Sequence, residues 1–472
     1  MKFVITLMPL VAMVHCLTFT LDDRDTALSV VSEKFLSVAL DCSSIESRYA
    51  SFNLSDPYLT RLVAHLAPMY FRIGGTYADR IVFAREDQTE RLQAADITFL
   101  SSDYLRLYQF TQNAGVSLIF DLNSLLRNDD GSWNSENARE MIAFSSEHQM
   151  QLDWELGNEP DLYQYIYETN VAASQLAADY QTLRDILDEF EIYKSANLVG
   201  NDMFDVGGSE SNQEYLSTFL KAAAHLVHAV TWHQYYFAGR DATEELFLSP
   251  STFNYLEQRI NVVKKVVSSS GSGNKVWLGE TSSAYNGGAA NMSNRFLGTF
   301  LWLDKLGLGA KLGLDVIIRQ TIYVDNYALL DPDYVPNPDW WLSVIYKKLV
   351  GTNVLSLSND GSSDNTVRLY AHCAKDAESS VVVFGFNVNG EKATISIEGF
   401  EADEDVLVYQ LNYDENIYSQ TIKLNGEILK VSSEGDLPDF QPTTVPNRGT
   451  FTLEPHSLVF WVFTNTNVNA CD

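Results

Sequence analysis

Two glutamates stand at the ends of apolar segments, and a pair of carboxyl groups is what hydrolysis of a glycosidic bond requires. Glu159 lies in the segment 154–160, and Glu280 directly follows the segment 276–279. One carboxyl group can protonate the leaving oxygen while the other acts as nucleophile or base. A lone glutamate would more simply cap the following helix, so the prediction depends on the pair. We therefore predict a glycoside hydrolase with Glu159 and Glu280 as its catalytic residues.

Other polar residues near these segments suit the same chemistry. Asn158 immediately precedes Glu159, and its amide can hydrogen-bond the 2-hydroxyl of a sugar, an interaction that strengthens in the transition state. His233, Tyr235 and Tyr236 follow another apolar segment, and a tyrosine hydroxyl there can donate to the nucleophile and keep it ionised. The sequence contains no Gly-x-Ser-x-Gly elbow, no His-Glu-x-x-His motif and no P-loop. We expect neither a metal nor a cofactor.

The elements that must hold these residues alternate between short apolar segments and helical patterns. The strand candidates are 35–40, 70–73, 116–120, 152–156, 197–199, 229–232, 275–278 and 316–318. Helical stretches such as 137–146, 172–191 and 292–306 lie between them. This alternation predicts a (β/α)₈ TIM barrel, an α/β fold, over residues 35–350. Functional side chains in such a barrel come from the carboxyl ends of the strands.

The segments on both sides of the barrel differ from it. Residues 351–472 form short alternating strands between Asn- and Gly-rich turns, which predicts a C-terminal β-sandwich. Residues 17–34 begin with a strand pattern that we expect to join this sandwich. Residues 1–16 combine one lysine, an apolar run and a polar break, which is typical of a secretory signal peptide and too short to span a membrane. We expect a secreted protein, extracellular or lysosomal.

The cysteines and two glycosylation motifs agree with export. Without the signal segment three cysteines remain, Cys42, Cys373 and Cys471. Cys471 is the penultimate residue, so a bond to Cys373 would pin the chain end to the sandwich and leave Cys42 as the spare thiol. Asn53 and Asn291 stand in Asn-x-Ser sequences and are predicted glycosylation acceptors.

The chain is strongly acidic. It has 32 lysines and arginines against 62 aspartates and glutamates, which gives a formal net charge of −30. This charge argues against nucleic-acid binding and against docking on anionic membranes, both of which need basic surface. It also creates a repulsive average field for a polyanionic substrate.

The segments around the two glutamates resemble the heparanases, retaining endo-β-glucuronidases built from a (β/α)₈ barrel and a β-sandwich. The resemblance covers nearly the whole chain after the signal segment and is most specific at 154–160, 231–240, 277–285, 300–307 and 346–352. It implies that Glu159 is the acid/base and Glu280 the nucleophile. Glu159 then needs a raised pKa to stay protonated, and we expect the approach of the second carboxylate to supply that rise. The contexts of Cys373 and Cys471 also match the family's sandwich disulfide.

The resemblance also implies substrate contacts by a set of residues around the cleft: Asp41, Thr76, Asn158, Tyr235, Arg240, Tyr285, Gly287, Gln320 and Tyr327. The implied partner is a glycosaminoglycan or another glucuronide-containing glycan. Peripheral association with cell-surface or matrix proteoglycan would follow from such a substrate.

The chain departs from this family in three respects. The connection over 81–107 is short, which predicts a single-chain enzyme without the linker that animal heparanases excise. The family's basic heparin-binding segments are missing near 99–105 and 204–220. Asp325 stands where the family favours a glycine that contacts the substrate carboxylate, and Asn286 replaces another glycine.

Three functions are compatible with these observations. The first is an endo-β-glucuronidase acting on heparan sulfate or a related glycosaminoglycan, with Arg72, Arg240 and Arg319 as candidates to hold one glucuronate. The second is an exo-β-glucuronidase acting on small or weakly charged glucuronides, which the loss of basic segments favours. The third is a catalytically silent secreted glycan-binding protein, against which the intact pair of glutamates argues. The retained scaffold favours the first.

Overall fold

The computed structural model describes residues 16–87, 97–361, 365–403 and 405–472. The predicted signal segment, except for its last residue, lies outside the described residues. So do residues 88–96 of the short connection, and the prediction of a single-chain enzyme stays a prediction.

The bounds of the elements within the described residues are as follows. The strands up to the end of the barrel are β1 (Cys16–Leu21), β2 (Ser29–Val30), β3 (Leu36–Asp41), β4 (Tyr70–Gly74), β5 (Ile81–Ala84), β6 (Ile97–Leu100), β7 (Ser117–Leu122), β8 (Asp153–Leu156), β9 (Val199–Met203), β10 (Ala229–Gln234), β11 (Phe237–Ala238), β12 (Lys275–Thr281), β13 (Ala284–Tyr285) and β14 (Val316–Arg319). The later strands are β15 (Val350–Leu355), β16 (Leu357–Asn359), β17 (Val367–Ala374), β18 (Val381–Asn387), β19 (Ala393–Glu398), β20 (Asp405–Tyr413), β21 (Ile422–Leu424), β22 (Glu427–Ile428), β23 (Thr443–Pro446), β24 (Thr450–Leu453) and β25 (Ser457–Phe463). The α-helices are α1 (Ser43–Glu46), α2 (Pro57–Ala64), α3 (Ser101–Ala114), α4 (Glu136–Glu147), α5 (Tyr163–Ile166), α6 (Ala173–Asp188), α7 (Glu210–Ala223), α8 (Glu244–Leu248), α9 (Pro250–Ser269), α10 (Phe296–Lys311) and α11 (Pro338–Leu349).

Eight parallel strands form the sheet that carries the site. Their order is β8-β7-β4-β3-β14-β12-β10-β9, and a parallel bridge between Trp154 and Leu198 closes the sheet into a barrel. The strands are buried almost throughout, as expected where helices cover the outer face and side chains fill the interior. The predicted (β/α)₈ fold is confirmed.

Two barrel elements are displaced from the bounds that the sequence predicts. The fifth strand is Val199–Met203 rather than 197–199, because its polar residues continue the strand into the barrel interior. There the Asp202 N–H donates to the Thr231 hydroxyl at 3.0 Å. The helix expected at 292–306 is α10. It begins later because the preceding residues form turns, in which the Ala289 N–H donates to the Ser293 hydroxyl at 2.9 Å.

Two sheets form the second domain. One has the order β16-β1-β19-β24, and the other has nine strands, with β2 next to β15 at its edge. The N-terminal strand β1 therefore lies inside the sandwich, although the barrel follows it in the chain. A disulfide joins Cys373 to Cys471 with an S–S distance of 2.01 Å, and Cys42 is a buried free thiol.

Helix α10 packs between the barrel and the sandwich. Its residues from Phe296 to Ala310 are all buried, because the sandwich covers the side that faces away from the barrel. Phe300 packs on Phe386 of β18 with ring centroids 5.8 Å apart. A Cβ at Gly307 would lie 2.1 Å from the ring of Tyr370, so the close approach requires a glycine. No helix among the described residues is long and apolar enough to cross a membrane.

Candidate active site

Glu159 and Glu280 meet at the carboxyl end of the barrel. Glu159 follows β8 and has a left-handed backbone with φ of 54°, a conformation that is costly for a non-glycine residue and is concentrated at functional sites. Glu280 is the penultimate residue of β12. One oxygen of each carboxyl group lies within 4.8 Å of the other. This short separation is typical of retaining glycosidases, whereas inverting enzymes hold their carboxyl groups about 6.5–9.5 Å apart.

Glu159 has the environment of a proton donor. Its side chain is buried, and burial raises its pKa to about 7, with the charge of Glu280 adding to the rise and the contact with His233 opposing it. The group therefore keeps its proton in mildly acidic solution. The sequence predicts that the second carboxylate supplies this rise in pKa. That expectation needs correction, because desolvation is the larger cause and Glu280 contributes less.

His233 connects Glu159 to a buried aspartate. Its Nδ1 lies 2.8 Å from Glu159 Oε1, and its Nε2 lies 2.7 Å from Asp202 Oδ1. Burial opposes the charge on the imidazole, but Asp202 and Glu280 raise the pKa of His233 well above its usual value. No role for His233 or Asp202 was predicted from the sequence. The feature that could have identified them as site residues is their position near the carboxyl ends of β10 and β9.

Glu280 has the environment of an oriented nucleophile. The Tyr235 hydroxyl donates to its Oε1 at 2.7 Å, as the sequence predicts. The guanidinium of Arg72 donates to its Oε2 at 3.0 Å. Both carboxylate oxygens thus accept hydrogen bonds, which hold the group in place. The ring of Tyr235 stacks on Tyr327, with centroids 6.4 Å apart.

Two of the three arginines expected to hold a glucuronate are engaged elsewhere. Arg72 is 1% exposed, and besides Glu280 it donates to Glu155 at 2.7 Å and to Asp202. Arg319 is equally buried and donates to Asp339 at 2.6 Å. These guanidiniums compensate carboxylates inside the barrel, so neither is available to a substrate. Only the third, Arg240, has an exposed side chain, which lies 3.6 Å from Asp241.

Asn158 lies between Glu159 and the loop after β4. Its side-chain oxygen accepts from Arg72 at 3.1 Å and from the Gly75 N–H at 3.1 Å. Because this oxygen already accepts two hydrogen bonds within the protein, the amide nitrogen of Asn158 is the group that can donate to a sugar hydroxyl.

The other predicted contact residues fall into two groups. The residues of the first group are linked by contacts within the protein, and among them Asp41 accepts from Gln320 at 2.8 Å. The Asn326 N–H donates to the Gly287 carbonyl at 2.8 Å, which ties the loop that carries Tyr327 to the loop after Glu280. The exposed residues of the set are Thr76, Arg240 and Tyr285.

Asp325, which the resemblance assigns to the position of a family glycine, faces Gly287. Its Oδ1 lies 3.1 Å from the point where a Cβ on Gly287 would stand. Burial and the charge of Asp41 raise the pKa of Asp325. The cleft therefore places two carboxyl groups near this loop, where a substrate carboxylate would meet repulsion.

Two groups of side chains have the spacing of metal ligands. They are Glu159, His233 and Glu280, and deeper in the barrel Asp121, Glu155 and Asp202. Arg72 donates to Glu155, Asp202 and Glu280, and His233 contacts Glu159 and Asp202. Because these protein cations already compensate the carboxylates, the donor sets serve hydrogen bonding rather than metal ligation.

Comparison with known proteins agrees with this geometry. The model of glycosyl hydrolase family 79, N-terminal domain, matches residues 39–307, a span that includes both glutamates. The chain belongs to this family. Family 79 membership confirms the expected glycoside hydrolase and the resemblance to the heparanases.

Several full-length relatives of this family 79 enzyme are similar in sequence. The heparanase of Gallus gallus is 32% identical over 94% of this chain and 94% of its own length. The hyaluronoglucuronidase of Hirudo nipponia is 32% identical over 96% of this chain and 98% of its own length. The inactive heparanase-2 of Homo sapiens is 30% identical over 93% of this chain and 87% of its own length.

Solved structures show the same architecture. The 4-O-α-L-rhamnosyl-β-D-glucuronidase of Fusarium oxysporum matches with a TM-score of 0.69 at 17% identity, over 94% of this chain and 99% of that one. The GH51 arabinofuranosidase of Xanthomonas axonopodis pv. citri matches with a TM-score of 0.68 at 13% identity, over 95% of this chain and 100% of that one. At these identities the likeness supports the fold alone.

Proposed function

We propose that this family 79 enzyme is a retaining endo-β-glucuronidase that cleaves glucuronidic bonds within a glycosaminoglycan. The observation that carries the proposal is that two neighbouring carboxyl groups, with one oxygen of each within 4.8 Å of the other, have different environments. Glu159 is held protonated by burial, whereas Glu280 accepts hydrogen bonds on both of its oxygens. Heparanase and hyaluronoglucuronidase relatives that match over nearly their whole length support a glucuronide substrate.

The geometry supports a two-step reaction. In the first step Glu280 attacks the anomeric carbon while Glu159 donates its proton to the leaving oxygen, so that the glycosidic bond breaks and an ester bond to Glu280 forms. In the second step Glu159, now ionised, takes a proton from water, whose oxygen attacks the anomeric carbon and releases Glu280. The amide of Asn158 donates to the 2-hydroxyl. Arg72 and Tyr235 keep the nucleophile oriented between the two steps.

We also propose that the enzyme acts outside the cytoplasm, in an extracellular or lysosomal compartment. The N-terminal segment supports export, as does the disulfide Cys373–Cys471, since such bonds persist in oxidising compartments. Asn53 and Asn291 are both exposed, so both acceptors are accessible to glycosylation. Association with proteoglycan would follow from binding the glycan chain.

The test combines polymer sizing with trapping of the intermediate. Heparan sulfate and hyaluronan are incubated near pH 5 with the wild-type enzyme, with Glu280→Gln and with Glu159→Gln, and a small chromogenic glucuronide is hydrolysed in parallel. We expect the wild type alone to shorten a polymer to mid-sized fragments. A 2-fluoro glucuronide with a good leaving group should label Glu280, which peptide mass spectrometry detects.

Each alternative predicts a different result. Hydrolysis of the small glucuronide with both polymers intact would show an exo-acting enzyme. A wild type that hydrolyses nothing yet binds the polymers would show a silent binding protein. Labelling at a residue other than Glu280 would refute the assignment of the nucleophile.

A further inference from the structure

His233 lies at a bulge near the carboxyl end of β10. The pairing of β10 with β12 shifts its register between Trp232 and His233, and a β-bulge of this kind re-aims the side chain beside it. The imidazole of His233 is fully buried, and each of its two nitrogens lies within hydrogen-bonding distance of a carboxyl oxygen. His233 is thus held between two carboxyl groups, of which one belongs to the proposed proton donor, Glu159.

Asp202, on one side of the imidazole, is ionised. Its Oδ2 accepts from Arg72, and its Oδ1 lies 2.7 Å from Nε2 of His233. Burial opposes the charge on Asp202, but Arg72 and His233 hold the pKa of this carboxyl below its usual value. Because an ionised carboxylate can only accept, Nε2 carries a proton and donates it in a hydrogen bond to Asp202.

Asp202 also holds the main chain of Glu159. The Glu159 N–H donates to the Asp202 carbonyl at 2.9 Å. Both residues have a left-handed backbone, with φ of 54° for Glu159 and 56° for Asp202, and such strain persists only where the surrounding structure fixes it. Asp202 therefore fixes Glu159 twice, directly at the backbone and through His233 at the side chain.

The neighbouring charges decide which atom donates in the second contact of the imidazole. Nδ1 lies 2.8 Å from Glu159 Oε1, and either atom can supply the proton between them. The other acidic groups that interact with the imidazole are Asp202, Glu280, Glu155 and Asp161, and Arg72 contacts the first three of these. Burial opposes a charge on the imidazole, but the surplus of carboxyl groups outweighs it and raises the pKa of His233. Nδ1 is then the donor and Glu159 Oε1 the acceptor.

We propose that His233 is a charged positioning residue for the acid/base: its imidazolium, held by Asp202, donates from Nδ1 to Oε1 of Glu159, which leaves Oε2 as the oxygen that carries the transferable proton. This inference rests on the proposed function, because it concerns the same proton donor. When Glu159 gives its proton to the leaving oxygen, its carboxylate forms beside a positive charge that is already in place. Such a preorganised charge stabilises the transition state of that step.

Nitrogen NMR of the wild-type enzyme tests the charge of His233 without turnover. The histidine rings are labelled with ¹⁵N, and the signals of His233 are assigned as those lost in His233→Gln. If that variant does not fold, the signals displaced in Glu159→Gln assign them. We expect both ring nitrogens of His233 to be protonated near pH 5, with the chemical shifts of an imidazolium. A neutral ring with one bare nitrogen would overturn the inference.

A series of leaving groups tests the action of His233 through the acid/base. His233→Gln keeps an amide that can donate but removes the positive charge. We expect it to lower kcat/KM for phenyl glucuronide about tenfold, the difference between a charge-assisted and a neutral hydrogen bond. The value for dinitrophenyl glucuronide should stay nearly unchanged, because that leaving group departs without a proton. Equal losses on both substrates would indicate a merely structural role and overturn the inference.

The pH profile gives an independent readout of the same variant. The contact with His233 lowers the pKa of Glu159, against the effects of burial, Glu280 and Asp161. Removing the imidazolium therefore raises that pKa, so Glu159 keeps its proton to a higher pH. We expect the alkaline decline of kcat/KM for phenyl glucuronide to move to a higher pH in His233→Gln. A decline that stays in place or moves to a lower pH would refute the electrostatic role.

The matched control is His228→Gln. His228 directly precedes β10, at the opposite end of the same strand, and its ring lies edge-on to Trp277 with centroids 5.8 Å apart. The same substitution there should leave the leaving-group dependence and the pH profile at their wild-type values, and thermal unfolding checks that both variants fold. Equal effects of the two variants would overturn the inference. A wild type that hydrolyses no glucuronide would instead refute the proposed function, and the NMR result would still decide the charge of His233.

Discussion

The hydroxyl of Tyr235 gives the sharpest test of the nucleophile's environment. Tyr235→Phe removes one oxygen and leaves the ring, which keeps its stacking on Tyr327 at 6.4 Å. The lost group is the donor that lies 2.7 Å from Glu280 Oε1. Tyr235 is 8% exposed and Glu280 is 7% exposed, so water replaces this hydrogen bond poorly.

The size of the effect follows from the remaining contacts. A hydrogen bond to a charged group contributes about 1.5–3 kcal/mol. Arg72 still holds the other oxygen of Glu280 at 3.0 Å, so the carboxylate stays in the site but loses one of its two constraints. We therefore expect kcat/KM for a chromogenic glucuronide near pH 5 to fall about tenfold to a hundredfold. The fall should come mainly from kcat.

The neighbouring tyrosine provides a matched control. The hydroxyl of Tyr236 is buried and has no hydrogen-bond partner in the described part of the chain. Tyr236→Phe deletes the same atom one residue away and should leave kcat/KM unchanged. Thermal unfolding of both variants checks that the fold is intact. Equal activity of Tyr235→Phe and Tyr236→Phe would refute the assignment of Tyr235 as a positioning donor.

Three further perturbations have definite expected results. Because the pKa of Glu159 is raised to about 7, its proton is present below that pH and lost above it. We therefore expect kcat/KM to decline as the pH rises through about 7. The variant Glu159→Gln should lack this decline. Asp325→Gly removes a carboxylate that faces Gly287. It should raise kcat/KM for glucuronides but not for matched β-glucosides. Equal gains on both substrates would refute repulsion between Asp325 and the substrate carboxylate. Replacing Cys373 and Cys471 with serine removes a link across 98 residues and should lower the free energy of unfolding in urea by about 2–5 kcal/mol, whereas an unchanged midpoint would contradict a stabilising role.

The barrel interior explains why an acidic enzyme keeps two arginines at its centre. Arg72 compensates Glu155, Asp202 and Glu280, all of them buried. An unpaired carboxylate at such a depth would be costly, and pairing with a guanidinium offsets part of that cost. Arg72, which the sequence offered as a substrate ligand, is therefore needed to hold Glu280 in place, while Arg319 compensates Asp339.

Local patterns in the sequence were sufficient to predict the fold and to single out Glu159 and Glu280 as the candidate catalytic pair. Apolar segments of strand length alternate with helical patterns, and each of the eight observed barrel strands overlaps one of the predicted segments. Glu159 and Glu280 were recognisable because each stands at the end of such a segment, where the barrel geometry alone brings side chains to one cleft. The position of Tyr235 followed from the same rule.

The partners of these residues were decided by the tertiary structure. Arg72 meets Glu280 across 208 positions of the chain, and His233 meets Asp202 across 31 positions and Glu159 across 74. These contacts depend on strand order, register and closure of the barrel, which no short segment encodes. For the same reason Arg72 looked like a ligand for glucuronate in the sequence, and the raised pKa of Glu159 looked like the effect of one neighbouring charge. Burial depends on everything packed around a group, so only the folded chain shows that desolvation dominates.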